Sequence, residues 1–297
     1  MGATAALPVT DRFMEVLERL SERSVEDYYN PYQTFQWPDA LDEKQYWMTP
    51  ELLTVYGTKH FETLDEETLQ RLSRWESVNF YSLNVHGIRE LLIEVIGRIH
   101  MPGFEVPSDF FHHFIGEENE HMWFFSEFCR RYGSKIYGSA GMRADAVWEP
   151  EVENFLVFTR ILFFEELVDH YNSRMAKDTS LCHTIREVNR IHHQDESRHI
   201  AFGRELVSLL FQRMTEAVSA ERIREVEAYV KRYVVYSINS LYNPHVYKDA
   251  GIADPLGLRN ALIADEARRA HERKAIRKPL SFFLKTGIFS DDTLPVL

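Results

Sequence analysis

Cysteine is scarce. Cys129 and Cys182 are the two in 297 residues, so no disulfide framework is expected and a reducing cytoplasm suits the chain. Glycine (13) and proline (11) are few, and strand-like alternation bounded by turns is hard to find, which leaves an all-α reading. Basic residues are outnumbered. Lys+Arg 34 against Asp+Glu 46 give a net charge of −12, so the basic face that a nucleic-acid binder needs is missing. No uncharged apolar run approaches the roughly 18–20 residues of a membrane span. The opening MGATAALPVTDRF lacks a basic leader with an apolar core, and it lacks the Ser/Thr of the myristoylation pattern. With no repeat and no linker, one domain over residues 1–297 is the simplest organisation.

Long stretches without a breaker read as helices. An amphipathic segment near Thr10–Arg23 precedes a Pro-, Tyr- and Trp-rich stretch expected to wrap irregularly, then a short helix over Thr49–Tyr56. Four long patterns follow: Asp65–Ile99, Ser108 (as N-cap) to Gly133, Pro150 to about Arg174, and about Leu181 to Met214. Two more, Ser219–Leu241 and Gly257–Lys274, precede an unassigned tail. The expectation is a ferritin-like four-helix bundle over about 65–214, with additional N- and C-terminal helices.

What the chain does have is histidine, 13 in all, some of it where apolar residues belong. The second long pattern has a stripe Phe111, Phe114, Glu118, His121, Phe125, Phe128, with the spacing of a buried seam. Buried carboxylates and imidazoles are costly unless paired or bound to metal. Glu and His at i, i+3 project to one side of a helix, so ExxH is a two-ligand unit. The fourth pattern repeats it. Its stripe runs Ile185, Val188, His192, Glu196, His199, Phe202, with a second ExxH and an extra histidine one turn earlier. Two such units are half of a dinuclear carboxylate site; one Glu from each remaining helix completes it.

Those glutamates can be sought by level, since antiparallel helices oppose residues equally far from their loop. Reflecting Glu118 through the turn at Gly103–Phe104 reaches Glu90. Its rival Glu94 has Arg98 at i+4 and reads as a surface ion pair. Reflecting Glu196 through Ser180 reaches Glu165 and Glu166. Glu165 continues the stripe Phe155, Phe158, Leu162 and is favoured; Glu166 continues a poorer one. The expected ligands are thus Glu90, Glu118, His121, Glu165, His192, Glu196 and His199. Carboxylates with imidazoles suit two iron ions, Fe2+ or Fe3+, with manganese as the alternative. Glu117 and Asp195 each adjoin a ligand. They are placed to accept the free N–H of a histidine on the opposite helix, Asp195 with His121 and Glu117 with His199.

The stretches EVNRIHHQDESRHIAF (187–202), EENEH (117–121), FFEEL (163–167) and ELLTVYGT…LDEETLQRLSRWES (51–77) resemble the p-aminobenzoate N-oxygenase family of di-iron arylamine oxygenases. The resemblance covers roughly residues 50–210. It implies a ferritin-like helical core holding two irons through two ExxH units, two further glutamates and an extra histidine that matches His192. Residue by residue it carries to His121, His192, His199, Glu118 and Glu196, then to Glu165; around Glu90 the segment departs from the pattern. It implies O2 as co-substrate, a peroxo-diferric species, an external electron donor (a reductase or a chemical reductant), and oxidation of an amine to hydroxylamine, nitroso or nitro product. Residues 211–297 match no motif and are expected to help build the pocket for a small-molecule amine. A homodimer is expected.

Other readings stand beside this one. The same core could hydroxylate or desaturate a carbon, handle iron as a ferroxidase, or generate a radical for a partner subunit. His112, His113 and His193 read as surface or packing residues; for His86, one turn before Glu90, a place beside the ligands is only the lesser reading. Arg198 and Arg204 read as ion pairs on the outer face, and Arg268–Lys278 as a solvated helix end.

Overall fold

A computed structural model describes residues 7–142 and 147–295. The first six residues, on which the reading of the leader partly rests, lie outside the described residues. The described residues form helices α1 (Asp11–Glu26), α2 (Pro31–Thr34), α3 (Lys59–Thr63), α4 (Glu66–Ile96), α5 (Ser108–Phe128), α6 (Pro150–Met175), α7 (His183–Ala217), α8 (Ala220–Ser240), α9 (Pro244–Asp249), α10 (Pro255–Ala264), α11 (Glu266–Ala275) and α12 (Arg277–Thr286), and among them there is no strand. The fold is all-α among the described residues, with a core of four long helices, α4–α7.

Local chemistry sets the helix ends. The Asp65 carboxylate accepts from Thr68 N–H at 2.7 Å and starts α4; Pro150 opens α6 at a position where its missing N–H costs nothing. Ser108 is not the cap of α5 but its first residue; its Oγ donates to the Phe104 carbonyl and accepts from His100 N–H. After Phe128 the chain widens into a π-turn over Cys129–Gly133. The Gly257–Lys274 pattern is two helices rather than one. Asp265 breaks it by capping α11, its carboxylate accepting from Arg268 N–H at 2.9 Å. The Thr49–Tyr56 segment shrinks to a 3-10 turn at Pro50–Leu52, and the unassigned tail contains α12.

The bundle is two antiparallel hairpins, α4–α5 and α6–α7, closed face to face. Tyr81 of α4 stacks on Phe125 of α5 at 5.2 Å, and Phe80 of α4 stacks on Tyr171 of α6 at 5.1 Å. Burial of such rings contributes about 1.5–3 kcal/mol each. Two glycines allow close approach. A Cβ on Gly87 would stand 2.6 Å from the Phe164 ring, and one on Gly203 would stand 3.2 Å from Leu162. These contacts make α4 antiparallel to α6 and parallel to α7, which fixes the levels used below. The aromatic stretch after α1 wraps the α5 side of the bundle, with Phe35 against Phe124 and the Pro38 carbonyl accepting from the Tyr132 hydroxyl.

Candidate metal centre

The two ExxH units meet inside the bundle. Each of Glu118, His121, Glu196 and His199 offers a ligand atom within 4.8 Å of the others, and all four side chains are buried. His192 Nε2 lies 3.0 Å from Glu196 Oε1. Glu165 reaches the same region from α6. It is buried, neither carboxylate oxygen has a hydrogen-bond partner, and the charge of Glu196 acts on it.

The donors converge without pairing. His199 Nδ1 stands 2.8 Å from Glu118 Oε1, yet neither atom makes an aligned hydrogen bond. His121 Nδ1 stands 3.4 Å from Glu118 Oε1 and 3.7 Å from Glu196 Oε1, also without a hydrogen bond. Orphaned buried polar atoms are rare in proteins. Six of them, four on the residues of one cluster and two on Glu165, fit a site built for cations.

Hydrogen bonds behind the histidines aim these atoms. His121 Nε2 donates to Asp195 Oδ2 at 2.9 Å, and His199 Nε2 donates to Glu117 Oε2 at 2.7 Å. Both rings therefore turn Nδ1 towards the centre. His192 is turned the other way. Its Nδ1 is engaged by the Asn172 amide, which leaves Nε2 facing Glu196.

Arg198 ties the outer carboxylates together. It donates to Glu117 Oε1 at 2.9 Å, to Asp195 Oδ1 at 2.6 Å and to Asp27 Oδ2 at 3.0 Å. It is buried, which corrects its sequence reading as an outer-face residue; the face opposite the ligands is covered by the segment after α1. Tyr29, from that segment, donates to Asp195 Oδ2 at 3.2 Å. Sequence reasoning missed Tyr29, Asp27 and Asn172. Asn172 carried a signal, lying two turns past Glu165 on the same stripe. Tyr29 and Asp27 carried none, because nothing local says which bundle face a wrap covers.

The electrostatics follow from burial and neighbours. Burial pushes the Glu165 carboxyl up, and Glu196 beside it pushes it further, well above the usual range. Burial would raise Glu118 too, but His121 and His199 outweigh it and hold Glu118 low. Burial would lower His121, yet Glu118 and Asp195 raise it to about 10. Burial acts upward on Asp195 and Glu117 as well, and in each the bonded histidine and Arg198 hold the carboxyl below its ordinary value.

The remaining sequence assignments divide. Glu166, the rival of Glu165, forms a bidentate pair with Arg204 at 2.9 and 2.8 Å and turns away. Glu94 pairs with Arg98 at 2.6 Å. Glu90 is not with the cluster. It is exposed and lines a cavity of about 290 Å3 outside the α4–α6 seam, with Gly87, Arg160, Phe164 and Tyr233. Reflection through a loop gives level and not face. The α4 residue that faces inward at that level is Ile88, and two residues along a helix turn the side chain by about 200°. His86 Nε2 bonds the Tyr137 carbonyl at 2.7 Å, and His193 bonds Asp169. A larger cavity, of about 1260 Å3, opens between α4 and helices α8–α11, and no residue of the cluster lines it. No described helix is long and apolar enough to cross a membrane.

A family model described as P-aminobenzoate N-oxygenase AurF matches residues 10–287. Uncharacterized proteins of Mycobacterium bovis and of two Mycobacterium tuberculosis strains are 26% identical over 214 residues, covering 68% of this chain and 63% of theirs. The chain thus spans 63% of the length of these relatives. Among solved structures, a mutant R2-like ligand-binding oxidase with an aerobically reconstituted Mn/Fe cofactor aligns over 94% of each chain at 15% identity, with a TM-score of 0.42.

Proposed function

This chain belongs to the P-aminobenzoate N-oxygenase AurF family, and from that footing we propose that it is a di-iron oxygenase that adds oxygen from O2 to the nitrogen of a small amine. The observation that carries the proposal is the convergence of Glu118, His121, Glu196 and His199, with Glu165 and His192 beside them, in a buried interior. Carboxylate and imidazole donors suit iron or manganese. Iron held there would supply O2 activation, with electrons from an external donor.

The chain's own residues have definite tasks in this reading. Asp195 and Glu117 fix the rings of His121 and His199, so the donor atoms are set before any ion arrives. Arg198 is a positioning residue that holds both of those carboxylates in one rigid unit. Phe114, 4.5 Å from the His199 ring, and Phe125, 4.8 Å from His192, exclude water from the flanks. No side-chain nucleophile is needed.

The test is incubation of the iron-loaded, reduced protein with labelled O2 and a panel of aryl- and alkylamines, followed by mass detection. The expected result is label on the amine nitrogen. Label on carbon would reassign the protein as a hydroxylase; iron bound but no labelled product from any member of the panel would overturn the oxygenase reading.

A further inference from the structure

Every helix of the core except α4 sends a ligand-type side chain to the cluster. The level is set by contacts already described. Tyr81 meets Phe125, and from there α5 reaches His121 one turn back and Glu118 a turn beyond. Because the helices are antiparallel, the same steps of four and seven residues along α4 reach Val85, next to Asn84, and then Ile88. A second route agrees: the Tyr81 hydroxyl accepts from Asn189 of α7 at 2.7 Å, and the parallel steps from Asn189 pass His192 and reach Glu196. Asn84 and Ile88 are both buried. They, and no carboxylate or imidazole, are what α4 presents at the level of the cluster.

The carboxylates and the imidazole of α4 are occupied or turned elsewhere. Glu76 lies about 15 Å further down the helix axis and is held by Thr54. His86 is bonded to the Tyr137 carbonyl. Glu90 and Glu94 face the outer cavity, and Glu66 and Glu67 lie in the first turn. Six donors then remain: Glu165, His192, Glu196 and His199 from α6–α7, but only Glu118 and His121 from α4–α5. Iron and manganese favour six-fold coordination by such donors, and six side chains shared between two ions leave the one nearer α4 poorly held. Asn84 adds a hint of the same lack. Its Nδ2 donates back to the Phe80 carbonyl, while its buried Oδ1 has no partner.

We infer that the dimetal centre is lopsided: one ion is held tightly and the other loosely, because Ile88 and Asn84 stand where a fourth carboxylate from α4 would complete the second position. This rests on the metal-centre reading above. It says that the weak position is a property of α4 and can be repaired there by a single carboxylate.

The experiment is metal analysis of the full chain. Anaerobic protein is loaded with ferrous or manganous salt and desalted, and bound metal is measured by mass spectrometry against rising chelator. The wild type is expected to lose one equivalent well before the other. Ile88→Glu is expected to tighten the weaker equivalent by at least about tenfold, the scale on which even the hydrogen-bonding neighbours of ligands act. Asn84→Asp serves as a second variant with a smaller change of volume, should Ile88→Glu fail to give the wild-type helical circular dichroism. Two equivalents lost together from the wild type would overturn the inference and leave the metal-centre reading intact. Uptake of no metal would overturn the metal-centre reading itself. A weak second equivalent that no α4 carboxylate tightens would also overturn the inference.

Discussion

Two groups of buried polar residues lie about 15 Å apart along α4, and they are built in opposite ways. The bundle cluster leaves its atoms unpaired: both oxygens of Glu165, Glu196 Oε2, Glu118 Oε1 and the Nδ1 atoms of His121 and His199 have no hydrogen-bond partner. The second group joins the C-terminal helices to α4 and leaves nothing unpaired. Glu76 accepts from Thr54 N–H at 2.9 Å and from the Thr54 hydroxyl, and that hydroxyl also meets the Tyr247 hydroxyl at 2.9 Å. Arg268 donates to the Tyr242 hydroxyl at 2.6 Å and to the Leu53 carbonyl at 3.0 Å, and Tyr242 donates to Glu272. Burial of charge is common to both. What separates a candidate site from a structural joint is whether the polar atoms satisfy one another or wait for something else.

The sharpest way to break that contrast is to cut the joint. Arg268→Ala leaves Glu272, Tyr242 and the Leu53 and Tyr56 carbonyls facing a void. Removing one partner of a buried pair costs about 3–5 kcal/mol, so a large drop in thermal or urea stability is expected. Metal uptake per folded molecule should stay unchanged. A variant as stable as wild type would make the network ornamental.

The joint also has a pH signature. Burial raises Glu76 to about 7, against the opposing hydrogen bonds from Thr54. Glu76 therefore binds its proton more tightly when folded than when unfolded. The stability this provides is fully present below the unfolded value near 4.5 and is lost as pH rises through about 7. The loss is on the order of 3 kcal/mol across that window. Denaturant melts at pH 5 and pH 8 should differ by that much more in the wild type than in Glu76→Gln. Equal slopes in the two proteins would exclude it.

The cluster should respond with the other sign. Glu165→Leu removes a carboxyl whose two oxygens have no partner, so the metal-free protein is expected to gain stability by about 1–3 kcal/mol. The same variant should lose the rise in melting temperature that metal gives the wild type. A destabilised metal-free variant would mean that the cluster is, after all, a joint like the other.

Much of this was legible in the chain. The ExxH spacing on apolar stripes marks the two helices that meet, and loop distances bring Glu165 opposite them. Charge next to a ligand pointed to the contacts of Asp195 with His121 and of Glu117 with His199. The failures have physical reasons. Glu90 failed because counting residues fixes height on a helix but leaves rotation free. Arg198 was read as an outer-face ion pair and Arg268 as part of a solvated helix end; the pairing of Arg198 is there, but sequence alone cannot show that a neighbouring segment covers a polar face: the wrap after α1 over Arg198, the Leu53–Tyr56 turn over Arg268. Asp265 ends α10 through a cap that resembles any other aspartate in a charged run.

Glu90 gives the smallest effect and the most direct check on that lesson. It is exposed, and no carboxylate of the cluster depends on it for a hydrogen bond. Glu90→Ala should therefore change stability by no more than about 0.5 kcal/mol and leave bound metal at the wild-type level. Its fellow members of the sequence-derived set should behave otherwise, with Glu196→Ala stripping metal from the protein. If Glu90→Ala stripped it equally, α4 would have to turn by about half a revolution in the loaded protein. Phe164 packed over Gly87 opposes such a turn, because any side chain swung into that position meets the ring.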